Sequence, residues 1–318
     1  MTEQIYDMII IGGGVAGASA GMYSARFNLN VLVFAAMPGG LITTTHLVEN
    51  YPGIKSITGS DMGTVFIEHA RETGAKFEYS TVKEIKAMEY QGERTNLHGQ
   101  RYFQVKDGSG KEYYSWTIVL ATGTNHKHLG IPGEKEFANK GVSYCALCDA
   151  GFFKQKVVGV VGGGDSAAIE ANILAEHAAE VHVIVRKDAM RAEPVNYDRM
   201  LSNPKIKIHF EQSVTEIKGD EKKMTHVILK NGDKMELDGL FVAIGFDPQN
   251  ELAKQLDVEL DNRGMIVVNR YGETNQPAVY GAGDITNAEF KQAIIGAAEG
   301  VAASYKAYNY LEANKIRH

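Results

Sequence analysis

The chain runs YDMIIIGGGVAG over residues 6–17, a short apolar stretch that enters a glycine-rich turn. The run Tyr6–Ile11 is typical of a strand buried in a parallel sheet. A helix of small residues is predicted to follow as far as Arg26, and then a second apolar strand over Asn30–Phe34. These elements make one βαβ unit. Its G-x-G-x-x-G spacing supplies the tight turn and the close backbone approach that a dinucleotide pyrophosphate requires at a helix N-terminus.

The same pattern recurs in the middle of the chain. Residues 156–167 run KVVGVVGGGDSA, again a predicted buried strand, Lys156–Val161, that ends in a glycine-rich turn. A helix and a further strand, Glu180–Val185, complete the second βαβ unit. A lone glycine fingerprint is a weak signal, but two with the correct elements around them strongly indicate two dinucleotide sites or one duplicated fold.

The segments around these units define the domain organisation. Apolar strands over Thr117–Leu120 and Leu240–Ile244 each end at a small-residue turn, and a long alanine-rich helix closes the chain. Two segments of alternating polarity predict antiparallel hairpins beside the parallel sheets. The predicted hairpins are Ser80–Tyr114 and Lys207–Glu236, and the second has a turn at Asn231-Gly232-Asp233. The predicted linkers between domains are Asn125–Gly133 and Phe246–Asn250. Later in the chain, strands are predicted over Met265–Val268 and Val279–Tyr280, and the last helix over Gln292–Leu311.

The sequence therefore predicts an α/β protein with two Rossmann-like nucleotide-binding domains of the three-layer ββα type, the second inserted in the first. We expect the first domain to comprise residues 1–125 and 251–318, and the inserted domain residues 126–250. A chain of 318 residues is long for a single core, which agrees with two domains.

Composition excludes several classes of function. The net charge of −6 argues against nucleic acid as the main partner. No apolar stretch approaches the roughly 18 to 20 residues of a membrane span. The N-terminal residues Met1–Gln4 are not basic, so no signal peptide is expected. Two cysteines in a large chain without a leader fit a reducing compartment, and we expect a cytoplasmic protein.

Both cysteines lie within one short motif, Cys145-Ala146-Leu147-Cys148, which Asp149 follows directly. The C-x-x-C spacing allows a small disulfide ring and favours exchange with other disulfides. His126 and His128 lie upstream, so a tetrahedral zinc site of two histidines and two cysteines is an alternative. The two nucleotide fingerprints favour redox chemistry, and we expect no metal.

Taken together, the motifs resemble those of the low-molecular-weight thioredoxin reductases, which are FAD-containing, nicotinamide-dependent disulfide reductases. The resemblance covers nearly the whole chain and places the cysteine pair just before the second fingerprint, as in that family. The matching motifs, in the family's order, are Gly12-x-Gly14-x-x-Gly17, Gly39-Gly40-Leu41, Val48–Gly53, Ala121-Thr122-Gly123, Cys145–Asp149, Gly162–Ala167, Gly281–Asp284 and Lys291-Gln292-Ala293.

The resemblance implies two cofactor sites. In the FAD site, Asp284 would hold the ribitol chain, and Lys291 stands where the family commonly has arginine. The FAD residues would be Gly12, Gly14, Gly17, Gly40, Leu41, Asn50, Val82, Ala121, Thr122, Gly123, Asp284, Lys291, Gln292 and Ala293. The NADPH residues would be Gly162, Gly164, Asp165, Ser166, Ala167, Arg186, Lys187, Arg191, Ile244 and Gly245.

The choice of nicotinamide cofactor follows from the end of the second unit. No acid stands there for the ribose hydroxyls of NAD, whereas Arg186 and Arg191 suit the 2′-phosphate of NADP. Val185 replaces the family's histidine and Lys187 its middle arginine. NADPH is therefore the expected donor, with NADH or another electron donor as alternatives.

The resemblance also implies a mechanism. A hydride from the nicotinamide reduces the flavin, which reduces the Cys145–Cys148 disulfide. Cys148 would face the flavin, and Cys145 would attack the disulfide of thioredoxin or a thioredoxin-like protein. Asp149 would be the acid/base with a raised pKa; it could also be a helix N-cap, and the two roles are compatible. The nicotinamide domain would rotate against the flavin domain to alternate these contacts, and the assembly would be a homodimer.

Two rival functions keep the same fold. A flavin-dependent dithiol oxidase would pass electrons to oxygen, and a redox-sensing scaffold would not turn over at all. The role of the aromatic pair Phe152-Phe153 is open, because these rings can dock a partner or pack beneath the redox loop.

Overall fold

The structure of the protein is a computed structural model that describes residues 4–45 and 48–316. It divides into two compact units. One comprises the residues up to Asn125 and those from Pro248 onward, and the other runs His126–Asp247. Residues 1–3, on which the expectation about a signal peptide partly depends, lie outside the described residues. Within the described part of the chain, no helix is both long and apolar enough to cross a bilayer.

The secondary structure follows the predicted alternation of strands and helices. The strands are β1 Ile5–Ile11, β2 Val31–Phe34, β3 Lys76–Glu78, β4 Val82–Glu89, β5 Arg101–Asp107, β6 Glu112–Leu120, β7 Thr124–His126, β8 Val142–Ser143, β9 Val157–Val161, β10 Glu180–Ile184, β11 Ile206–His209, β12 Val214–Gly219, β13 Met224–Leu229, β14 Lys234–Glu236, β15 Gly239–Val242, β16 Phe246–Pro248 and β17 Val279–Gly281. The α-helices are α1 Val15–Arg26, α2 Gly59–Thr73, α3 Ala146–Asp149, α4 Asp165–His177, α5 Pro194–Leu201, α6 Glu251–Gln255 and α7 Ala293–Ala313.

The first unit is built on a sheet in the order β3-β2-β1-β6-β5-β4. Strand β1 is parallel to both β2 and β6, as its fully apolar end predicts. Strand β6 also pairs in parallel with β17, which returns from the far end of the chain. Strands β4, β5 and β6 are antiparallel neighbours, so the hairpin predicted over residues 80–114 is confirmed.

Helices α1 and α7 of this unit approach each other closely because small residues line their contact. The Ser304 hydroxyl donates to the carbonyl oxygen of Ala20 at 2.8 Å. A Cβ added to Gly300 would lie only 2.1 Å from the carbonyl oxygen of Ala16. This packing holds the N-terminus of α1, and with it the first glycine turn, at the carboxyl end of β1.

The second unit contains a parallel sheet in the order β11-β10-β9-β15-β8 and an antiparallel sheet β12-β13-β14. The turn predicted at residues 231–233 joins β13 to β14 and is confirmed. One boundary differs from the prediction. Residues 206–209 form β11, which pairs in parallel with β10 instead of opening the hairpin. Its alternating pattern suits either kind of edge strand, so sequence alone did not separate them.

The strand predicted over Met265–Val268 is wrong. Successive N–H groups there donate to different partners, from Ile266 to the Ile285 carbonyl and from Val267 to the Glu259 carbonyl. Isolated bridges form instead of a ladder. Met265 and Ile266 are buried, and a buried loop requires apolar residues as much as a buried strand does.

The two segments predicted as linkers contain strands β7 and β16, which pair with each other.

Candidate active site

The redox loop is a disulfide ring at the start of the short helix α3. Cys145 and Cys148 are joined by a disulfide, with their Cα atoms 5.4 Å apart. Cys145 is also the N-cap, because its sulfur accepts the N–H of Cys148 at 3.2 Å. Leu147, between the two cysteines, is 42% exposed. The disulfide therefore lies on a surface loop at a helix N-terminus, where the partial positive charge favours a thiolate.

Asp149 is tied to the loop through a buried serine. The Ser143 hydroxyl donates to Asp149 Oδ2 at 2.6 Å and accepts the N–H of Cys145 at 3.2 Å. Asp149 stands at the N-cap position of the 3₁₀ helix Ala150–Phe153 but makes no side-chain cap hydrogen bond there, and Cys145 caps α3. The carboxyl is instead fixed beside the redox pair.

A second carboxyl approaches the same loop from helix α4. The Glu170 carboxyl bonds the main-chain N–H of Ala146, and burial raises its pKa to about 8. The nearby charge of Asp149 raises this pKa further. Two carboxyl groups therefore lie near the redox loop, and burial favours the neutral form of the Glu170 carboxyl.

The two upstream histidines form an aromatic cluster instead of a metal site. The His126 ring packs on Phe246 and Tyr144 at centroid distances of 4.8 and 5.3 Å. Burial lowers the pKa of His126 to about 4. His128 Nδ1 lies 2.9 Å from the Tyr144 hydroxyl, which donates to buried Glu134. With both cysteines joined in a disulfide, the proposed zinc ligands are not assembled.

The aromatic pair after the redox helix divides into two roles. Phe153 packs edge-on against Phe241 at 5.1 Å, beneath the parallel sheet's surface. Phe152 is 43% exposed on the same 3₁₀ helix as Ala150. One ring therefore anchors the segment to the core, and the other faces solvent near the disulfide.

The first glycine turn leaves the N-terminus of α1 open. Gly14 precedes the helix without a side-chain cap, and the first turn carries no acid. A Cβ on Gly12 would lie 2.0 Å from the Ala121 oxygen, and one on Gly17 would lie 1.8 Å from the Gly12 oxygen. Only glycine fits at these two positions. The free N–H groups of such a helix end attract phosphate, so this turn fits a dinucleotide.

The structure places three further residues predicted to bind FAD in the same unit as this turn. The N–H of Gly39 donates to the Gly13 carbonyl at 2.9 Å, which brings the 3₁₀ helix Gly40–Thr44, and Leu41 within it, beside the turn. Thr122, after β6, donates its hydroxyl to the Gln249 carbonyl at 2.7 Å. Val82 begins β4 and packs against the apolar core on one face of the sheet.

The C-terminal segment returns to the same unit. The Asn50 side-chain amide donates to Gln292 Oε1 at 3.2 Å, although 242 residues separate them in sequence. Gln292 precedes α7, whose first residue is Ala293. The structure therefore brings Asn50, Gln292 and Ala293 together, as the predicted site requires.

A half-buried charged cluster lies in this returning segment. Burial raises the pKa of Asp284 and of Glu299, and it lowers the pKa of Lys291. The Lys291 ammonium donates to the carbonyl oxygens of Asp284 and Thr286 at 2.7 and 3.0 Å. Glu299 accepts the N–H of Gly283 at 2.7 Å. Lys291 is thus anchored to the turn that carries Asp284.

The second glycine turn repeats this design in the other unit. Gly164 precedes α4 without a side-chain cap, and a Cβ there would meet no atom within 4 Å. Asp165 Oδ1 accepts the N–H of Glu193 and the amide of Asn196, both at 2.9 Å. Its charge is thereby engaged by α5, and the helix end beside exposed Ser166 stays open for a phosphate.

The end of β15 supports this turn as the end of β6 supports the first. A Cβ on Gly162 would lie 2.4 Å from the Ala243 oxygen and 2.7 Å from the Ala167 Cβ. Ile244 and Gly245 directly follow this contact, with Gly245 at a φ of +101°. The predicted nucleotide residues at the ends of β9 and β15 are therefore neighbours.

The basic segment after β10 borders the second turn. The N–H of Arg191 donates to the Gly163 carbonyl at 2.7 Å. Arg186 and Lys187 are exposed, directly after buried Val185. Cations at the rim of an open helix end suit a phosphate.

Sequence reasoning missed Ser143, Glu170 and Glu299. Glu170 had a usable signal: it lies three residues after Ala167 and four before Leu174, which are both buried on α4. An acid on an apolar helix face is unusual and marks a candidate site. Ser143 and Glu299 had no local signal, because their partners are brought to them by the fold.

Comparisons with known proteins agree with this arrangement. A family described as "Pyridine nucleotide-disulphide oxidoreductase" matches residues 6–300. A thioredoxin reductase of Bacillus subtilis is 37% identical over 316 residues, which cover 98% of this chain and 96% of the relative. One of Helicobacter pylori is 37% identical over 318 residues, covering 96% and 99%. The crystal structure of thioredoxin reductase from Streptococcus pyogenes matches with a TM-score of 0.86 at 32% identity, covering 98% of this chain and 100% of that one.

Proposed function

Because this chain belongs to the pyridine nucleotide-disulphide oxidoreductases, and within them to the thioredoxin reductases, we propose that it transfers electrons from NADPH, through FAD and the Cys145–Cys148 disulfide, to the disulfide of a thioredoxin. The chain is an oxidoreductase enzyme. The observation that carries the proposal is the disulfide at the surface of a unit that also contains an open, uncapped glycine turn.

The first unit is the proposed FAD domain. The uncapped end of α1 would take the pyrophosphate, and the segment Asp284–Ala293 would approach the rest of the cofactor. Its Asp284 carboxyl is half-buried and burial raises the pKa of that carboxyl, which supports a polar ligand there. A bound flavin would supply the conversion of a hydride into the electron pair that a disulfide accepts.

The residues of the redox loop perform the exchange with the partner protein. Cys145, at the N-cap of α3, is the proposed attacking sulfur, because the helix end stabilises its thiolate. Asp149, oriented by Ser143, is the proposed acid for the leaving sulfur. Exposed Leu147 and Phe152 give a partner an apolar surface beside the disulfide. We propose a homodimer as the assembly, by analogy with the family.

We propose NADPH as the donor. Support comes from the end of β10, where Val185-Arg186-Lys187 follow without an acid, and from Arg191, whose N–H bonds the second glycine turn. The alternatives that an experiment must distinguish from NADPH are NADH and a donor without nicotinamide.

Anaerobic titration tests the proposal directly. Purified holoprotein is mixed with NADPH or NADH while flavin absorbance is followed, and a thioredoxin is then added. We expect NADPH to bleach the flavin and thioredoxin to restore its colour. The double variant C145S/C148S should lose all turnover with thioredoxin and keep bleaching by NADPH, which provides its own control for folding and cofactor binding.

Two results would contradict the proposal. Full turnover of the double variant would remove the disulfide from the electron path. Peroxide formation from a small dithiol and oxygen, without nicotinamide, would identify a dithiol oxidase instead.

A further inference from the structure

Asp165 stands at the second glycine turn, but its carboxylate is engaged by the start of helix α5. The residue is the first of α4 and is half-buried. Its Oδ1 accepts the main-chain N–H of Glu193, the N-cap residue of α5, and the side-chain amide of Asn196, each at 2.9 Å. The partial positive charge at the start of a helix favours a carboxylate there. Asp165 therefore joins the glycine turn to the next helix.

A second side chain of α4 contacts the same part of α5. Asn172, two turns beyond Asp165, is 6% exposed, and its amide donates to the main-chain carbonyl of Asn196 at 3.1 Å. Asn196 thus bonds α4 twice, through its side chain to Asp165 and through its main chain to Asn172. A buried amide without this acceptor would be costly, so the bond fixes where α5 begins relative to α4.

The segment that contains Arg191 lies between the glycine turn and these bonds. The N–H of Arg191 donates to the Gly163 carbonyl at 2.7 Å. Met190 and Ala192, on either side, are half-buried and pack against the apolar core of the unit, whereas Arg191 is exposed. The segment is therefore attached at two points, residue 191 and the start of α5.

We infer that Asp165 is a positioning residue for the 2′-phosphate of NADPH: with Asn172 and Asn196 it forms a clamp that fixes the segment of Arg191 beside the second glycine turn. In this assignment Asp165 does not bind the phosphates of the nucleotide and acts through Arg191. The inference rests on the proposed function, because only a nucleotide with a 2′-phosphate requires a cation at that position.

The clamp should affect the 2′-phosphate selectively, because the glycine turn has its own support. A Cβ on Gly162 would lie 2.4 Å from the Ala243 oxygen, so the turn packs against the end of β15. Strand β15 pairs with β9, and neither strand belongs to the clamp. When the clamp is lost, the turn keeps its open helix end for the pyrophosphate, which NAD⁺ and NADP⁺ share. The cation that distinguishes the two nucleotides loses its fixed position.

The size of the expected loss follows from how often the segment occupies the position seen in the structure. The apparent affinity of a ligand falls in proportion to the population of the binding-competent state. Each hydrogen bond to a carboxylate contributes about a factor of ten or more to that population equilibrium. A segment that occupies this position for about a tenth of the time would bind the 2′-phosphate about tenfold more weakly.

Nucleotide binding to the oxidised holoenzyme tests the inference. Isothermal titration calorimetry measures the dissociation constants of NADP⁺ and NAD⁺, which differ only by the 2′-phosphate, and their ratio gives the preference for NADP⁺. Asp165→Ala should lower this preference about tenfold, because NADP⁺ binds more weakly and NAD⁺ changes little.

Two further variants are the controls for this measurement. Asp165→Asn keeps an oxygen that accepts both donors, so it should retain the preference to within about a factor of two. Its lost negative charge acts on the pyrophosphate that both nucleotides carry and cancels in the ratio. Asp198→Ala replaces an exposed acid on α5 and should also retain the preference.

Hydrogen exchange provides a measurement that does not depend on the nucleotide. In Asp165→Ala the main-chain amides of residues 190–196 should exchange about tenfold faster, since the segment opens more often, whereas those of β9 should be unchanged. Equal protection of the segment in the wild type and in Asp165→Ala would overturn the inference. Faster exchange in β9 as well would indicate a general loss of stability and would also overturn it.

Asn196→Ala covers the case in which Asp165→Ala does not fold. It removes one of the two donors and should lower the preference for NADP⁺ about threefold to tenfold, as one lost hydrogen bond predicts. An unchanged preference, or equal weakening of NADP⁺ and NAD⁺, would overturn the inference and leave the proposed function in place. If the wild type itself shows no preference for NADP⁺, the proposed donor is wrong and the positioning role fails with it.

Discussion

At the scale of single residues, a main-chain hydrogen bond of Arg191 determines where its side chain begins. Its N–H bonds the carbonyl of Gly163, inside the second glycine turn. The backbone of Arg191 is therefore fixed beside the open end of α4, whereas Arg186 and Lys187 lie in an exposed bend. Arg191 should then contribute most to a 2′-phosphate, because a side chain held near its target loses less entropy on binding.

The variant Arg191→Ala tests this point. We expect the KM for NADPH to rise about 10-fold to 100-fold, which corresponds to about 1.4 to 2.7 kcal/mol for a lost charge-assisted contact. The KM for NADH should change little, since NADH has no 2′-phosphate. Steady-state kinetics with both nucleotides measures the difference. Arg199→Ala, an exposed arginine on α5, is the control, and equal losses for NADPH and NADH would refute the assignment.

At the scale of elements, the contact between α1 and α7 positions the first glycine turn. The two helices approach each other closely because the residues between them are small, including buried Ala16, Ala20 and Ala303. This closeness lets α7 lie against the start of α1, so that the segment before α7 is held near the helix end that is the proposed pyrophosphate site. A bulkier residue here would change both stability and cofactor binding.

Two glycines on α7 provide a matched pair of variants. In Gly300→Ala the new Cβ would lie 2.1 Å from a backbone oxygen of Ala16, whereas in Gly296→Ala its nearest neighbours are at 3.6 Å. We expect Gly300→Ala to lower the free energy of unfolding by about 2 to 4 kcal/mol. Gly296→Ala should be neutral or stabilise by up to about 1 kcal/mol, because alanine favours a helix. Urea unfolding compares them, and equal effects would contradict the close packing.

At the scale of the whole molecule, the two units keep separate hydrophobic cores. Every member of two clusters belongs to residues up to Ala121 or from Leu252 onward. Every member of the other two lies between Leu129 and Ala243. A segment that buries its own apolar surface without help from the remainder of the chain satisfies the main requirement for folding alone.

The isolated fragment 126–247 should therefore fold. We expect cooperative urea unfolding, and alkylation should find the Cys145–Cys148 disulfide formed, with no flavin bound. The fragment 1–125 lacks α7 and β17, which cover α1 and pair with β6, and should not fold alone. Circular dichroism distinguishes the two. An unfolded fragment 126–247 would mean that its core depends on contacts outside these clusters.

The sequence by itself determined both βαβ units and the redox pair. The predicted strand Tyr6–Ile11 and helix ending at Arg26 match β1 and α1 to within a residue. These features are local: glycine spacing, apolar runs and a C-x-x-C pattern act over a few residues, so neighbouring residues alone specify them.

Only the tertiary structure decided which distant groups meet. Asn50 contacts Gln292, Glu170 reaches the main chain of Ala146, and Lys291 is anchored to carbonyl oxygens that no pattern identified. The same holds for residues 206–209, which joined the parallel sheet because β10 offered a free edge there. Such contacts depend on how helices and sheets pack, and burial then sets the pKa values, which a one-dimensional pattern does not contain.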